Sequence, residues 1–322
     1  MISFVNDYNC GAPQEIIEAV AKASGGYYPG YGEDDLCRAA KKLISYEIGS
    51  EDCAIHFVSG GTQANLTVIA AALRSHEAAL ATEWGHIATH ETGAIESCGH
   101  KVVTVPHHNG KVGIEDIEKV LAFHCSEHLA KMKLIYISQS TEWGTVYTKR
   151  ELEELREFTK AKGLWLFVDG ARVGSAITSP NSDCDLEDLA ALTDVFTIGG
   201  TKNGAMFGEA IVISEPKLQD DFRYVIKQKG GMLAKGWLLG AQFQELFRDG
   251  LFYRLAQDGN DKAGKLRRTI ESANIPVAVD SPTNQLFPIL PLDFIMELSE
   301  DFGFEVIQKV GTDKAIIRLV TS

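Results

Sequence analysis

The sequence predicts an α/β protein, with a mostly parallel central sheet in a large domain and a small C-terminal α+β domain after it. Three observations carry this reading. Leu164–Val168 and Val195–Ile198 are short apolar runs without alternation, too short for helices, which is the pattern of parallel strands buried on both faces. Strand-like runs alternate with helix-like segments along most of the chain, the rhythm of right-handed crossover units. From about Phe243 the pattern turns to a long helical segment and then short strands. The expected division is 1–24 for an N-terminal arm and helix, 25–242 for the large domain and 243–322 for the small one.

Composition narrows the function classes. A chain of 322 residues buries a large core and suits about two domains. Its apolar share of 45% and a mean hydropathy near zero mark a globular chain. No run approaches the roughly 20 apolar residues of a membrane span, and MISFVNDYNCG lacks the basic and apolar regions of a secretion signal. A cytoplasmic address is expected. The net charge of −13 disfavours nucleic acid and anionic membrane as partners. Cys10, Cys37, Cys53, Cys98, Cys125 and Cys184 form no metal-knuckle spacing, so free thiols, mostly core fillers, are expected.

In chain order, ISFV leads through Asn6-Asp7-Tyr8-Asn9 to a helix opened by Pro13. GGYYPGYGEDD is an irregular loop too rich in tyrosine to be a linker. Ala54–Val58 is a strand, and Ser59-Gly60-Gly61-Thr62 opens a long helix; such a turn lets a phosphate approach the backbone and the positive helix end. Ala78–Thr82 is a strand followed by Glu83-Trp84-Gly85-His86. His86 and His90 would share a helix face, but their order is not H-E-x-x-H and no third zinc ligand follows, so no metal site is expected. Lys101–Pro106 and Lys133–Ser138 are strands, with Ile114–Phe123 a helix and His124 and His128 between. Thr148 and Glu151 form a capping box before a helix that Gly163 closes. Phe207–Ser214 returns to the sheet. Short strands follow around Asn284–Ile289, at Glu305–Val310 and at Ala315–Thr321, the last with Arg318 inside an apolar run, which is costly without a partner.

Polar groups follow the predicted strands, and in an open parallel sheet ligands bind beyond the carboxyl ends. Asp169-Gly170-Ala171-Arg172 and Gly199-Gly200-Thr201-Lys202 therefore bring a carboxylate, a guanidinium and an amine together. A desolvated Lys that can form a Schiff base, with an Asp that holds a proton on an aromatic nitrogen, is the pair that pyridoxal 5'-phosphate requires. A metabolite binder using the Ser59–Thr62 turn would leave Asp169, Lys202 and Arg318 unexplained.

With YGED at Tyr31–Asp34, the Gly61-Thr62 turn, His86-Ile87 with Glu91, Gly93 and Ala94, DGAR, Thr201-Lys202-Asn203 and Ile317-Arg318-Leu319-Val320-Thr321 in order, nearly the whole chain resembles the low-specificity threonine aldolases. These form a branch of the β-eliminating lyases with the aspartate-aminotransferase-type fold, the fold type I of pyridoxal-phosphate enzymes. The resemblance implies that Lys202 carries the cofactor, Asp169 pairs with its ring nitrogen, His86 stacks on the ring and assists proton transfer, Gly61 and Thr62 hold its phosphate, and either His86 or His128, through water, takes the β-hydroxyl proton. It puts Asn6, Tyr31, Arg172 and Arg318 at the substrate, with Arg172 also near the cofactor, and His128 at the substrate β-hydroxyl. The family's G-G-G-M-R has Leu233 in place of Arg, leaving Lys235 or Lys229 as the phosphate counter-charge. Ser138-Gln139-Ser140-Thr141 replaces the usual E-N-T. The chain ends soon after Arg318, where the family continues through a terminal helix. The implied reaction is cleavage of a β-hydroxy-α-amino acid to glycine and an aldehyde, with β-elimination or amino transfer as the alternative. YGED lies at a subunit boundary in the family, so a homodimer or homotetramer is expected.

Overall fold

The computed structural model describes residues 2–180 and 182–322; Met1, the first residue of the expected arm, lies outside them. The central sheet has seven strands: β1 (Ala54–Val58), β2 (Glu77–Thr82), β3 (Lys101–Val105), β4 (Lys131–Ser138), β5 (Trp165–Asp169), β6 (Val195–Gly199) and β7 (Glu209–Ile213). Their order across the sheet is β1, β7, β6, β5, β4, β2, β3. Only β7 runs against its neighbours, and the other pairs are parallel. The apolar runs lack alternation because both faces are covered: Ile135, Ile137, Leu166 and Val168 enter one core, Leu134, Tyr136 and Phe167 the other. Each such side chain, fully buried, contributes about 1.5–3 kcal/mol.

Six helices matter for the site: α1 (Gln14–Ala23), α2 (Asp35–Glu47), α3 (Gly61–Ala72), α4 (Lys149–Lys162), α5 (Trp237–Phe247) and α6 (Leu251–Ser272). The capping box of Thr148 and Glu151 starts α4, and Gly163, in the left-handed region, ends it. The long helical segment expected from Phe243 is broken, because Asp249 and Gly250 both take positive φ, and α5 begins before the expected domain boundary. Phe243, Leu246, Phe247, Leu251 and Phe252 all join the main core. We therefore propose a division near Gly250 in place of 242/243.

The small sheet sets β8 (Gln285–Leu286), β9 (Ile289–Pro291) and β10 (Glu305–Val310) against β11 (Lys314–Val320), all antiparallel. The N-terminal arm belongs with this layer: Ile2–Ser3 pairs with Phe302–Gly303, and the Val320 N–H donates to the Phe4 carbonyl at 2.9 Å. The cysteines are free thiols, but not mainly core: Cys37 and Cys184 are buried, Cys53 and Cys98 half-buried, Cys10 and Cys125 exposed. Among the described residues no helix is long and apolar enough to cross a membrane.

Candidate active site

The adjacent ends of β5 and β6 bring Asp169 and the Lys202 loop together, and glycine makes the approach possible. A Cβ on Gly170 would stand 1.9 Å from the Thr197 carbonyl oxygen, and one on Gly199 would stand 2.3 Å from that of Ala171. The two ends are then tied by Gly170 N–H to Thr197 Oγ1 at 2.8 Å and Gly199 N–H to the Gly170 carbonyl at 3.0 Å. Beyond β6 the chain folds back on itself, with Gly200 and Thr201 N–H donating to the Gly208 carbonyl, and this tight loop presents Lys202.

Asp169 is buried, and its carboxylate accepts three hydrogen bonds, only one of them at Oδ1. Tyr136 Oη donates to Oδ2 at 2.6 Å, Asn65 Nδ2 donates to the same oxygen at 2.8 Å, and the Ala171 N–H donates to Oδ1 at 2.9 Å. Burial raises its pKa, but His86, the Tyr136 and Asn65 hydrogen bonds and Lys202 outweigh it, so the carboxyl is held below the usual range. Asn65 also donates to Glu91 Oε1 at 2.7 Å, and Glu91 Oε1 meets His86 Nδ1 at 2.8 Å. One buried network thus joins His86 to Asp169. His86 stacks on His90, ring centroids 5.5 Å apart.

Lys202 has no ion-pair partner among the described residues, although carboxylates surround it. Burial, then Arg172, lowers its pKa, which favours the neutral amine. Lys202 and Arg172 line a cleft of about 300 Å³ together with His86, His90, Glu142 and Arg318. Trp84, Trp143 and Phe287 make its apolar wall. Arg318 pairs with Glu305 through Nη2, while its buried Nε has no partner among the described residues.

Several expected site residues fall elsewhere. His128 is exposed and precedes β4, so it sits at the amino end of a parallel strand; the eight residues of β4 separate it from the crevice by about 25 Å at roughly 3.3 Å each. Its assignment to the substrate is corrected on that ground. Asn6 caps a turn by accepting from the Tyr8 N–H at 3.1 Å; the neighbouring Asp7 is the buried group. Asp7 takes both Arg172 Nε at 2.7 Å and Nη2 at 3.0 Å, so the Arg172 fork is already occupied by protein. Tyr31 lies outside the Lys202 cleft, in a second pocket with Lys41, His56 and Arg223, under the Lys227 amine at 4.2 Å from its ring.

Of the two candidate counter-charges, Lys229 approaches the Gly61-Thr62 turn. Its carbonyl accepts from Gln63 Nε2 at 3.1 Å, within the first turn of α3. Lys235 is exposed beside the Tyr31 loop, where the Tyr31 N–H donates to the Ala234 carbonyl. Sequence reasoning missed Tyr136, Asn65, Asp7, Glu142 and Glu209; the last is buried at the start of β7 with Oε2 unpartnered among the described residues, and burial raises its pKa well above the carboxylate range.

Comparison with known proteins settles the family. The family model for β-eliminating lyases matches residues 4–290. The chain belongs to the β-eliminating lyases. Within that family's reach, it is 32% identical over 302 residues to the low specificity L-threonine aldolase of Pseudomonas sp. strain NCIMB 10558, covering 92% of this chain and 84% of the relative. The solved Leishmania major threonine aldolase superposes with a TM-score of 0.98 at 47% identity, covering 100% of this chain and 94% of that one. A Thermus thermophilus aspartate aminotransferase shares the fold alone, at a TM-score of 0.74 and 14% identity.

Family and fold imply pyridoxal 5'-phosphate, and the residues present fit it. The α3 N-terminus has no side-chain cap, and a Cβ on Gly60 or Gly61 would meet nothing within 4 Å, so unpaired N–H groups face open space. An ionised Asp169 and an unpaired, desolvated Lys202 complete a donor set suited to a phosphate, a ring nitrogen and an aldehyde.

Proposed function

We propose that this chain cleaves a β-hydroxy-α-amino acid, of the L-threonine or L-allo-threonine type, to glycine and an aldehyde. The observation that carries the reading is the unpaired Lys202 amine in a cleft shared with Arg318, beside an Asp169 held ionised. The threonine aldolases among its relatives support the choice of reaction within the family.

When bound, pyridoxal phosphate supplies a ring that accepts the electron pair released at the amino acid's α-carbon. Lys202 would hold the group at its aldehyde carbon. Asp169 would keep a proton on the ring nitrogen, since a carboxylate with three donors already on it stays charged. His86, its Nδ1 fixed by Glu91, would stack on the ring. Gly61 and Thr62 would hold the phosphate through the α3 amides, with Lys229, whose backbone carbonyl meets Gln63, as counter-charge. Arg318, which lines the same cleft as Lys202, receives the substrate carboxylate. Arg172, held by Asp7 in a bidentate pair, lines the same cleft. The aromatic wall of Trp84, Trp143 and Phe287 shields the side group from water.

Product analysis with L-threonine tests the reading. Glycine with acetaldehyde is the expected outcome; 2-oxobutanoate with ammonia would replace it with β-elimination, and transfer of the amino group to a keto acid with amino transfer. We take the working form to be a homodimer or homotetramer in the cytoplasm. The exposed Tyr27, Tyr31 and Tyr224 support an association surface, and a native mass measurement checks it.

A further inference from the structure

Cleavage between Cα and Cβ requires a base for the β-hydroxyl proton, and with His128 on the opposite edge of the sheet only His86 remains of the two histidines expected to take it. We propose that Glu142 is the general base that takes this proton. The inference rests on the aldol reading above and names the base within it.

Glu142 follows β4 at the carboxyl edge of the sheet and lines the cleft that also holds Lys202, Arg172 and Arg318. One of its oxygens is fixed: Oε1 accepts from Ser138 Oγ at 2.6 Å and from the His86 backbone N–H at 3.0 Å. Both donors come from the strand and helix that frame the site, so the carboxyl is anchored next to His86. The other oxygen, Oε2, accepts no hydrogen bond from another described residue, and the residue lines the cleft. A carboxyl held by one oxygen with the other free is oriented for proton transfer.

The electrostatics agree with the geometry. Burial, and then the charge of Asp169, raise the Glu142 pKa, making it a stronger base than an ordinary glutamate. The cleft histidines are less suited. His86 commits Nδ1 to Glu91. His90 meets Thr89 Oγ1 through Nδ1 at 2.6 Å, and burial, followed by His86, lowers its pKa and weakens it as a base.

The step balances. The β-hydroxyl proton passes to Glu142 Oε2, the O–H pair becomes the second bond of the aldehyde carbonyl, and the Cα–Cβ pair stays with Cα, spread into the bound cofactor. Glu142 then returns its proton by way of solvent as Cα is protonated and glycine leaves.

The test is E142Q in the holoenzyme, since Gln keeps an acceptor for Ser138 and His86. Threonine cleavage should fall by about 10²–10⁴-fold, the usual worth of a positioned base. Three readouts that need no β-hydroxyl should stay at the wild-type level: the visible absorbance of the bound cofactor, its change on titration with glycine, and exchange of the glycine Cα proton in deuterium oxide. E142D should restore part of the cleavage. Cleavage within about tenfold of wild type, or loss of glycine exchange in step with cleavage, would overturn the assignment, the second by showing that Glu142 only props His86. A wild-type enzyme that releases no glycine from any β-hydroxy amino acid fails before the variant is made, and sinks the aldol reading together with this one.

Discussion

Tyr136→Phe removes one hydroxyl from the wholly buried network around Asp169 and leaves the ring in place. The lost bond is the 2.6 Å donation to Asp169 Oδ2, after which Asn65 and the Ala171 N–H remain as donors. A hydrogen bond to a charged group contributes about 1.5–3 kcal/mol, and with two donors left the middle of that range, about 2 kcal/mol, is expected. The assay is urea unfolding of the cofactor-free protein followed by far-ultraviolet circular dichroism. The sign with pH follows from linkage. The pKa of Asp169 is lowered from its ordinary 3.8 in the folded state, so the stability from its contacts is present above 3.8 and lost as pH falls through the lowered value. The Y136F penalty should therefore hold constant from pH 7 down to about 3.8 and shrink as pH falls from there through the lowered value. A loss below about 0.5 kcal/mol at pH 7, the level of an ordinary surface change, would refute the reasoning. So would a penalty that already fades well above 3.8.

Three further outcomes follow from the same geometry. Arg318→Ala should raise KM for the amino acid and cost about 2–5 kcal/mol in kcat/KM, the range for truncating one partner of a buried charge pair, while leaving the cofactor absorbance intact. Asp7→Asn leaves the buried Arg172 guanidinium facing a neutral amide, and urea unfolding should show a loss approaching the roughly 3–5 kcal/mol of a broken buried pair. His128→Ala should leave kcat/KM unchanged in steady-state assays; a loss of about tenfold or more would restore the role first given to it.

The central strands were readable because burial on both faces leaves unbroken apolar runs, as at Trp165–Asp169 and Val195–Gly199; Ala54–Val58 and the mostly exposed Glu305–Val310 also match to the residue. The charged ends of β5 and β6 were readable for the same reason, since a polar cluster after such a run falls in the crevice. The residues that support them were not. Tyr136 stands inside an apolar run and reads as core, yet its hydroxyl reaches Asp169. Asn65 reads as a helix residue; only its position one turn after Gly61 hints that it faces the strand ends. Asp7 was missed by one position, because a turn of Asn6 and Asp7 does not say which side chain the fold buries. His128 was placed by counting back from Leu134, and that count ignored the direction of the strand. The break between α5 and α6 carried a signal, Arg248-Asp249-Gly250, that helical periodicity on either side obscured.

The central claim is that the cofactor is bound covalently by the amine of Lys202, at the crevice where β5 and β6 end. Borohydride treatment of the cofactor-loaded protein, followed by protease digestion and mass spectrometry, reads this directly. The account predicts the added mass on the peptide that contains Lys202 and on no other. Modification of Lys229, Lys235 or any lysine outside the cleft, with Lys202 unmodified, would contradict it.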